Sequence, residues 1–292
     1  MKYQAPANIA EAVRLLTGSE TQIRILAGGT DLIPQMQARR AAPQLIIDIK
    51  RIPETRTIAR QNGNFIIGAA VSGAELSEHP QLKHDWPGVV EAFDLIGSTQ
   101  IQSRATLGGN LCNASPAADS VPALIAAGCR CRIAGPQGER EAAVADIVVS
   151  PGRTSLQKGE FIVSFILPAL PARSADAYLR LIPRTEMDIA VVGTGVFLGL
   201  DEQDRCQHAR VALGAVGPTV VLATDAARLL IGSQLDTATL QRFKSAIRAA
   251  CRPINDKRGT IEYRTGVASV LAVRAASIAW QRASSRPAGA SV

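Results

Sequence analysis

Histidine, cysteine and aromatic residues are scarce in this 292-residue chain, and each scarcity removes a class of function. Aromatics are 4% of the residues, and the 32 Lys and Arg are scattered with no block longer than Arg39-Arg40 or Lys50-Arg51, so the basic, base-stacking surface of a nucleic-acid binder is missing. The five cysteines form no Cys-x-x-Cys pair and lie too far apart for a disulfide framework; they read as reduced thiols, mostly buried. Cys129 and Cys131 alternate within "CRCRIAG", which puts both sulfurs on one face of a strand, in the core rather than on a metal. The three histidines, His79, His84 and His208, fall in loop or turn contexts and offer no convincing acid or base. No segment approaches the roughly twenty apolar residues of a membrane span. The opening "MKYQAPANIAEAVRLL" carries an acidic residue where a signal peptide needs an uninterrupted apolar run, so a cytoplasmic chain is expected.

What is present is apolar mass: 47% hydrophobic residues supply cores for two ordinary domains or one large one. The formal charge of +7, from 32 basic against 25 acidic residues, suits a phosphate-bearing ligand or an acidic partner surface.

Along the chain, "NIAEAVRLLTG" predicts a helix capped by Asn8, with Glu11 three residues on and Gly18 as its stop. "TQIRILA" alternates as a strand, "GGTDLIPQMQARR" turns into a short helical piece, and "PQLIIDI" is apolar enough for a buried strand. "TIARQNGNFIIGAAV" predicts two strands around an Asn62-Gly63 turn. Helical pattern follows from "SGAELSEHP" to "GVVEAFDLIG", breaks at Gly97, and resumes at about Pro116 in "SPAADSVPALIAAG". "CRCRIAG" and "EREAAV" pair across a Pro-Gln-Gly turn, and "EFIVSFILP" is a further strand. The two prolines of "PALPARSAD", 168–176, mark the best boundary. Beyond it "AVVGTGVFLGL" and "HARVALGAV" form a meander around "DEQDR", and two helices, "TATLQRFKSAIRAACRP" and "RTGVASVLAVRAASIAWQRA", precede a small, polar tail expected to be unstructured.

Two stretches resemble each other, "LAGGTDL" at 26–32 and "LGGNLCN" at 107–113. Each brings an apolar approach, a Gly-Gly pair and a hydrogen-bonding side chain. Gly28, Gly29, Gly108 and Gly109 are expected to take positive φ, turning successive backbone N–H groups into a concavity suited to a diphosphate. Thr30, Thr106, Asn110, Asn113 and Ser115 flank them with the neutral donors and acceptors that a dinucleotide requires. Neither turn is GxGxxG, no GxxxxGK[ST] occurs, and "GTGVFLG" at 193–199 has the wrong spacing and reads as packing.

"LAGGTDLIPQMQ" with "TLGGNLCNASPAAD", followed by "EFIVSFILP" and "RTEMDIAVVG", resembles the FAD-binding subunit of the molybdenum hydroxylases. These are the xanthine dehydrogenase and aldehyde oxidoreductase family, including the flavoprotein subunits of CO dehydrogenase, and the likeness runs along essentially the whole chain. It implies an α+β fold: a PCMH-type FAD-binding domain of two subdomains at 1–170 (about 1–52 and 53–170), then a smaller antiparallel sheet with helices at 175–283, and a flexible tail at 284–292. It implies FAD held by Ile25, Leu26, Ala27, Gly28, Gly29, Thr30, Asp31 and Leu32 around the diphosphate, and by Thr106, Gly109, Asn110, Asn113 and Ser115 near the phosphates and ribityl chain. Asp119 would accept hydrogen bonds from the cofactor, Ile162 or Val163 would pack on a ring, and Arg180 would stand close to the isoalloxazine. No residue is assigned to acid, base or metal duty, and Cys112 reads as packing.

The implied function is that of an electron-transfer subunit. A large subunit with molybdopterin takes electrons from the substrate, a small subunit with two [2Fe-2S] clusters carries them, and this chain collects them on FAD for a terminal acceptor, which could be NAD, a quinone, oxygen or a carrier protein. The absence of a cysteine-rich insertion argues against the dearomatising thioester reductases of the family. A self-contained FAD oxidoreductase of the wider fold, or a scaffold that responds to nucleotide without redox work, are the competing expectations.

Overall fold

Asn8 starts the first helix through the interaction its position suggests: its Oδ1 accepts the Glu11 N–H at 2.9 Å. In this computed structural model, which describes residues 1–18 and 22–287, that helix is α1 (Ile9–Thr17). It lays Ala12 and Leu16 into a small core beside Ile47, Ile49 and Phe161. Three short strands, β1 (Lys2–Gln4), β2 (Ile23–Leu26) and β3 (Leu45–Asp48), form an all-parallel sheet in the order β1-β3-β2, with α2 (Leu32–Gln37) crossing between the second and third. Strand β1 is exposed at all three positions and too short to alternate, so the sequence pattern gives it no signal.

The Asn62-Gly63 turn forms with φ of 50° and 79°, the left-handed pair that a two-residue hairpin needs. It joins β4 (Ile58–Gln61) to β5 (Asn64–Gly68). Six helices follow: α3 (Gly73–Glu78), α4 (Pro80–Asp85), α5 (Pro87–Asp94), α6 (Thr99–Gln102), α7 (Leu107–Cys112) and α8 (Ser120–Ala127). Gly97, at φ 63°, ends the α5 segment as expected. Helix α8 begins at Ser120 rather than Pro116, because Ala114 takes φ 51° and residues 115–119 run as turns. The chain then forms β6 (Arg130–Gly135), β7 (Gly138–Ala143), the small hairpin β8 (Val148–Ser150) and β9 (Arg153–Thr154), and β10 (Phe161–Leu167). The main sheet is antiparallel in the order β4-β5-β10-β6-β7. Its central strand β10 is covered on both faces, with Phe161 and Val163 in the α1 core and Ile162 and Phe165 in the larger one, which is why "FIVSFIL" is apolar at nearly every position.

The proline-rich boundary is shorter than 168–176. Strand β11 (Ser174–Leu181) already contains Asp176, which is buried. With β12 (Val192–Leu200), β13 (Cys206–Gly214) and β14 (Val221–Leu222) it makes a meander in sequence order, followed by α9 (Thr224–Arg228), α10 (Thr237–Ala250) and α11 (Ile261–Ser284). All nine residues of β12 are buried, because α11 covers one face of this sheet and α5 and α8 cover the other. The glycines of "GTGVFLG" permit that closeness: a β-carbon on Gly195 would sit 2.6 Å from the Pro122 carbonyl oxygen of α8. The tail expected at 284–292 begins inside α11 at Ser284, and its last five positions, 288–292, lie outside the described residues.

The joint between the front and back of the chain is polar and well tied. Asp176 on β11 accepts the Gly88 and Val89 N–H groups at the start of α5, both at 2.9 Å. Arg210 on β13 donates to the Ala126 and Ala127 carbonyls at the end of α8, at 2.7 and 3.0 Å. Among the described residues no helix is long and apolar enough to cross a membrane.

Candidate flavin site

The two glycine segments meet. A β-carbon on Gly28 would lie 2.1 Å from the Arg104 carbonyl oxygen and 3.1 Å from the Ala105 Cα, so the first turn rests on the backbone that leads directly into the second. Gly108 is in turn pressed on Ala69, where a β-carbon would come to 2.6 Å from the carbonyl oxygen. Close approach, rather than left-handed backbone, is therefore the reason for glycine at both positions. Of the four glycines only Gly29 has positive φ, at 81°, which corrects the expectation of two equivalent nests.

The first segment is a true turn. Ile25 and Leu26 end β2, Ala27 to Thr30 form the bend, and Asp31 and Leu32 open α2. Among the described residues nothing accepts from the N–H groups of Gly28, Gly29 or Thr30, which leaves three backbone donors beyond the carboxyl end of a parallel strand, where open α/β sheets bind ligands. Asp31 makes no capping bond, and desolvation by neighbouring protein pushes its carboxyl above the usual range.

The second segment is the first turn of a helix. Thr106 caps α7, its Oγ1 accepting the Gly109 N–H at 3.0 Å. Asn110 is held by α8, its Oδ1 accepting the Ser120 hydroxyl at 2.7 Å, while Asn113 is exposed at the helix end. Ser115 turns inward and accepts the Ala117 N–H at 3.2 Å.

Asp119 and Arg180, distant in sequence, form one buried pair: Arg180 Nη1 donates to Asp119 Oδ2 at 2.7 Å, with side chains only 4% and 10% exposed. The Tyr178 hydroxyl donates to the other oxygen at 2.9 Å. Asp119 thus meets protein donors rather than standing free as an acceptor. Burial pushes its carboxyl up to about 6, a rise that Arg180 and Tyr178 oppose without cancelling. Arg180 Nε is buried with no partner among the described residues. Tyr178 carries no mark in the sequence, because its partner is 59 positions away and only the packing of β11 on α8 brings them together.

Ile162 and Val163 are 3% and 0% exposed, each packed in the core on its own side of β10. One expectation is corrected. Cys112 is exposed rather than packed, on the same short helix as Gly109 and Asn110. Desolvation by the surrounding protein pushes its thiol up to about 12 even so.

The remaining residues fit a flavin dinucleotide. A bend without β-carbons offers free N–H groups, neutral Thr, Asn and Ser side chains gather beside it, and a buried guanidinium keeps an unspent donor.

Comparison with known proteins bears on the same segments. Residues 1–170 match the family described as the FAD binding domain in molybdopterin dehydrogenase, and residues 177–279 match the CO dehydrogenase flavoprotein C-terminal domain. The carbon monoxide dehydrogenase medium chain of Hydrogenophaga pseudoflava is 32% identical over 281 residues, covering 96% of this chain and 97% of the relative. The putative xanthine dehydrogenase FAD-binding subunit of Escherichia coli is 29% identical over 264 residues, 90% of each chain. A solved structure of carbon monoxide dehydrogenase from Hydrogenophaga pseudoflava superposes with a TM-score of 0.92 at 33% identity, covering 97% of this chain and 98% of the other.

Proposed function

The chain belongs to the FAD-binding medium subunits of the molybdenum hydroxylase family, and from that premise we propose that it is the electron-transfer flavoprotein of a heteromeric dehydrogenase. Its partners in this reading are a large molybdopterin subunit, where substrate is oxidised, and a small subunit with [2Fe-2S] clusters. FAD, when bound, supplies the redox chemistry, since a flavin takes electrons singly and passes on one or two. The observation that carries the reading is the meeting of the Gly28 turn with the backbone before Thr106 in a chain that matches the family over residues 1–170 and 177–279.

The chain's own residues have three tasks. Gly28, Gly29 and Thr30 would offer N–H groups to the diphosphate, with Thr106, Gly109 and Asn110 as neighbouring polar groups. Arg180 is a buried cation that would favour the negative charge a flavin gains on reduction. Asp119 and Tyr178 fix the orientation of that cation. None of these residues is an acid or base aimed at an organic substrate, which suits a subunit whose substrate is turned over elsewhere.

The test is optical. The purified chain should show flavin bands near ~450 nm that bleach on addition of an oxidisable substrate only when the partner subunits are present. Bleaching by the chain alone would select a self-contained oxidoreductase, and a protein that takes up no FAD would overturn the reading.

A further inference from the structure

The first glycine bend is held from behind by a brace that spans the whole parallel sheet. Lys50, in the tight turn after β3, donates its Nζ to the Ala27 carbonyl at 2.9 Å and pairs with Asp48 Oδ1 at 2.8 Å. Asp48, the last residue of β3, is 7% exposed and also accepts the Lys50 N–H at 3.0 Å. Its second oxygen takes the Tyr3 hydroxyl of β1 at 2.6 Å. Three donors thus saturate one carboxylate, and although burial favours its protonation, the bonds from Lys50 and Tyr3 hold the group below the ordinary carboxylate range. The ammonium is left with a fixed geometry and one remaining task, the Ala27 oxygen.

That oxygen belongs to the peptide whose N–H is Gly28. In a trans peptide the C=O and the following N–H point in opposite directions within one plane. Turning the Ala27 oxygen toward Lys50 therefore turns the Gly28 N–H away from Lys50, and the Gly28, Gly29 and Thr30 donors are unmatched among the described residues. The two flanking glycines give the bend little stiffness of its own, so an external clamp is needed to choose one orientation of this peptide.

We propose that Lys50 is a positioning residue for the cofactor: locked by Asp48 and Tyr3, its ammonium holds the Ala27–Gly28 peptide so that the bend presents its N–H groups to the FAD diphosphate. The inference rests on the reading of residues 25–32 as the diphosphate loop. Lys50 itself acts through the loop and lies at neither glycine segment.

The experiment is FAD titration of the full chain, followed by quenching of flavin fluorescence, with the melting temperature of the FAD-free chain measured in parallel. Lys50→Met keeps the stem and removes the donor; it should weaken FAD binding by about tenfold or more, the scale of one charge-assisted hydrogen bond. Lys50→Arg keeps a cationic donor within reach and should restore affinity to within about threefold of the unaltered chain; Lys50→Met also takes a partner from Asp48 and should melt lower, so affinities are compared at a temperature where both variants remain folded. Affinity of Lys50→Met within about twofold of the unaltered chain, or an Arg variant as weak as the Met one, would overturn the proposal. Gly28→Val serves as the reference. If it too binds FAD normally, the loop assignment falls and the brace with it; if it abolishes binding while Lys50→Met does not, only the brace falls.

Discussion

Replacing Asp119 with asparagine probes the balance between burial and pairing at the centre of the site. The carboxyl is pushed from an ordinary value of 3.8 up to about 6, so the folded chain holds that proton more tightly than the unfolded chain does. Ionised Asp119 therefore destabilises the folded state at neutral pH despite Arg180 at 2.7 Å, and the gap corresponds to about 3 kcal/mol. The sign follows from linkage: the penalty is complete above the folded value and fades as pH falls toward the unfolded one. Roughly half of it should be recovered between about pH 7.5 and about pH 5.0, on top of whatever the other carboxylates do. Asp119→Asn has no proton to gain, so urea unfolding of the FAD-free chain and this variant at both pH values isolates the contribution. The variant should be the more stable protein at the higher pH, and its advantage should shrink by about half at the lower one. Parallel pH dependences, or an unaltered chain that loses ground to the variant on acidification, would refute the reasoning and mean that Arg180 and Tyr178 outweigh burial.

Three further outcomes follow from the same coordinates. Gly28→Val should lower FAD affinity by at least about a hundredfold and destabilise the chain by about 1–3 kcal/mol, since its β-carbon has no room beside the Arg104 carbonyl; fluorescence titration and urea unfolding check both. Asp176→Ala strands two N–H donors at the start of α5, at about 1–3 kcal/mol each, and should separate the melting of the FAD domain from that of the C-terminal sheet in calorimetry; a single unshifted transition would contradict the joint described above. Thiol alkylation of the native chain should modify Cys112 well before Cys129, Cys131, Cys206 or Cys251, and FAD should slow it, as peptide mass spectrometry would show.

Local chemistry was legible from the residues alone. Asn8 and Gly97 act at the positions their types suggest, and the Asn62-Gly63 hairpin and the strand "FIVSFILP" lie where pattern places them. Partnerships across the fold were not. The helix at 116–127 starts late because Ala114 takes a left-handed turn that no propensity favours, and Asp176 looks like linker until α5 is seen resting its first two free N–H groups on it. Ile162 and Val163 serve two cores that β10 separates, a partition that an unbroken apolar run does not reveal. Lys50 reaches a carbonyl 23 residues earlier, and Tyr178 reaches Asp119 across a sheet; neither has a spacing to find. The glycines serve backbone needs that their spacing did not distinguish, since Gly28 and Gly108 allow close backbone contact and of the four only Gly29 uses the freedom of positive φ.

Amide hydrogen exchange with and without FAD tests most directly whether two bends far apart in the chain grip one cofactor. Residues 27–31 and 106–113 should gain protection together, at the same FAD concentration, while the surface of α10 is unchanged. Protection of one segment without the other, or of neither, would contradict the account.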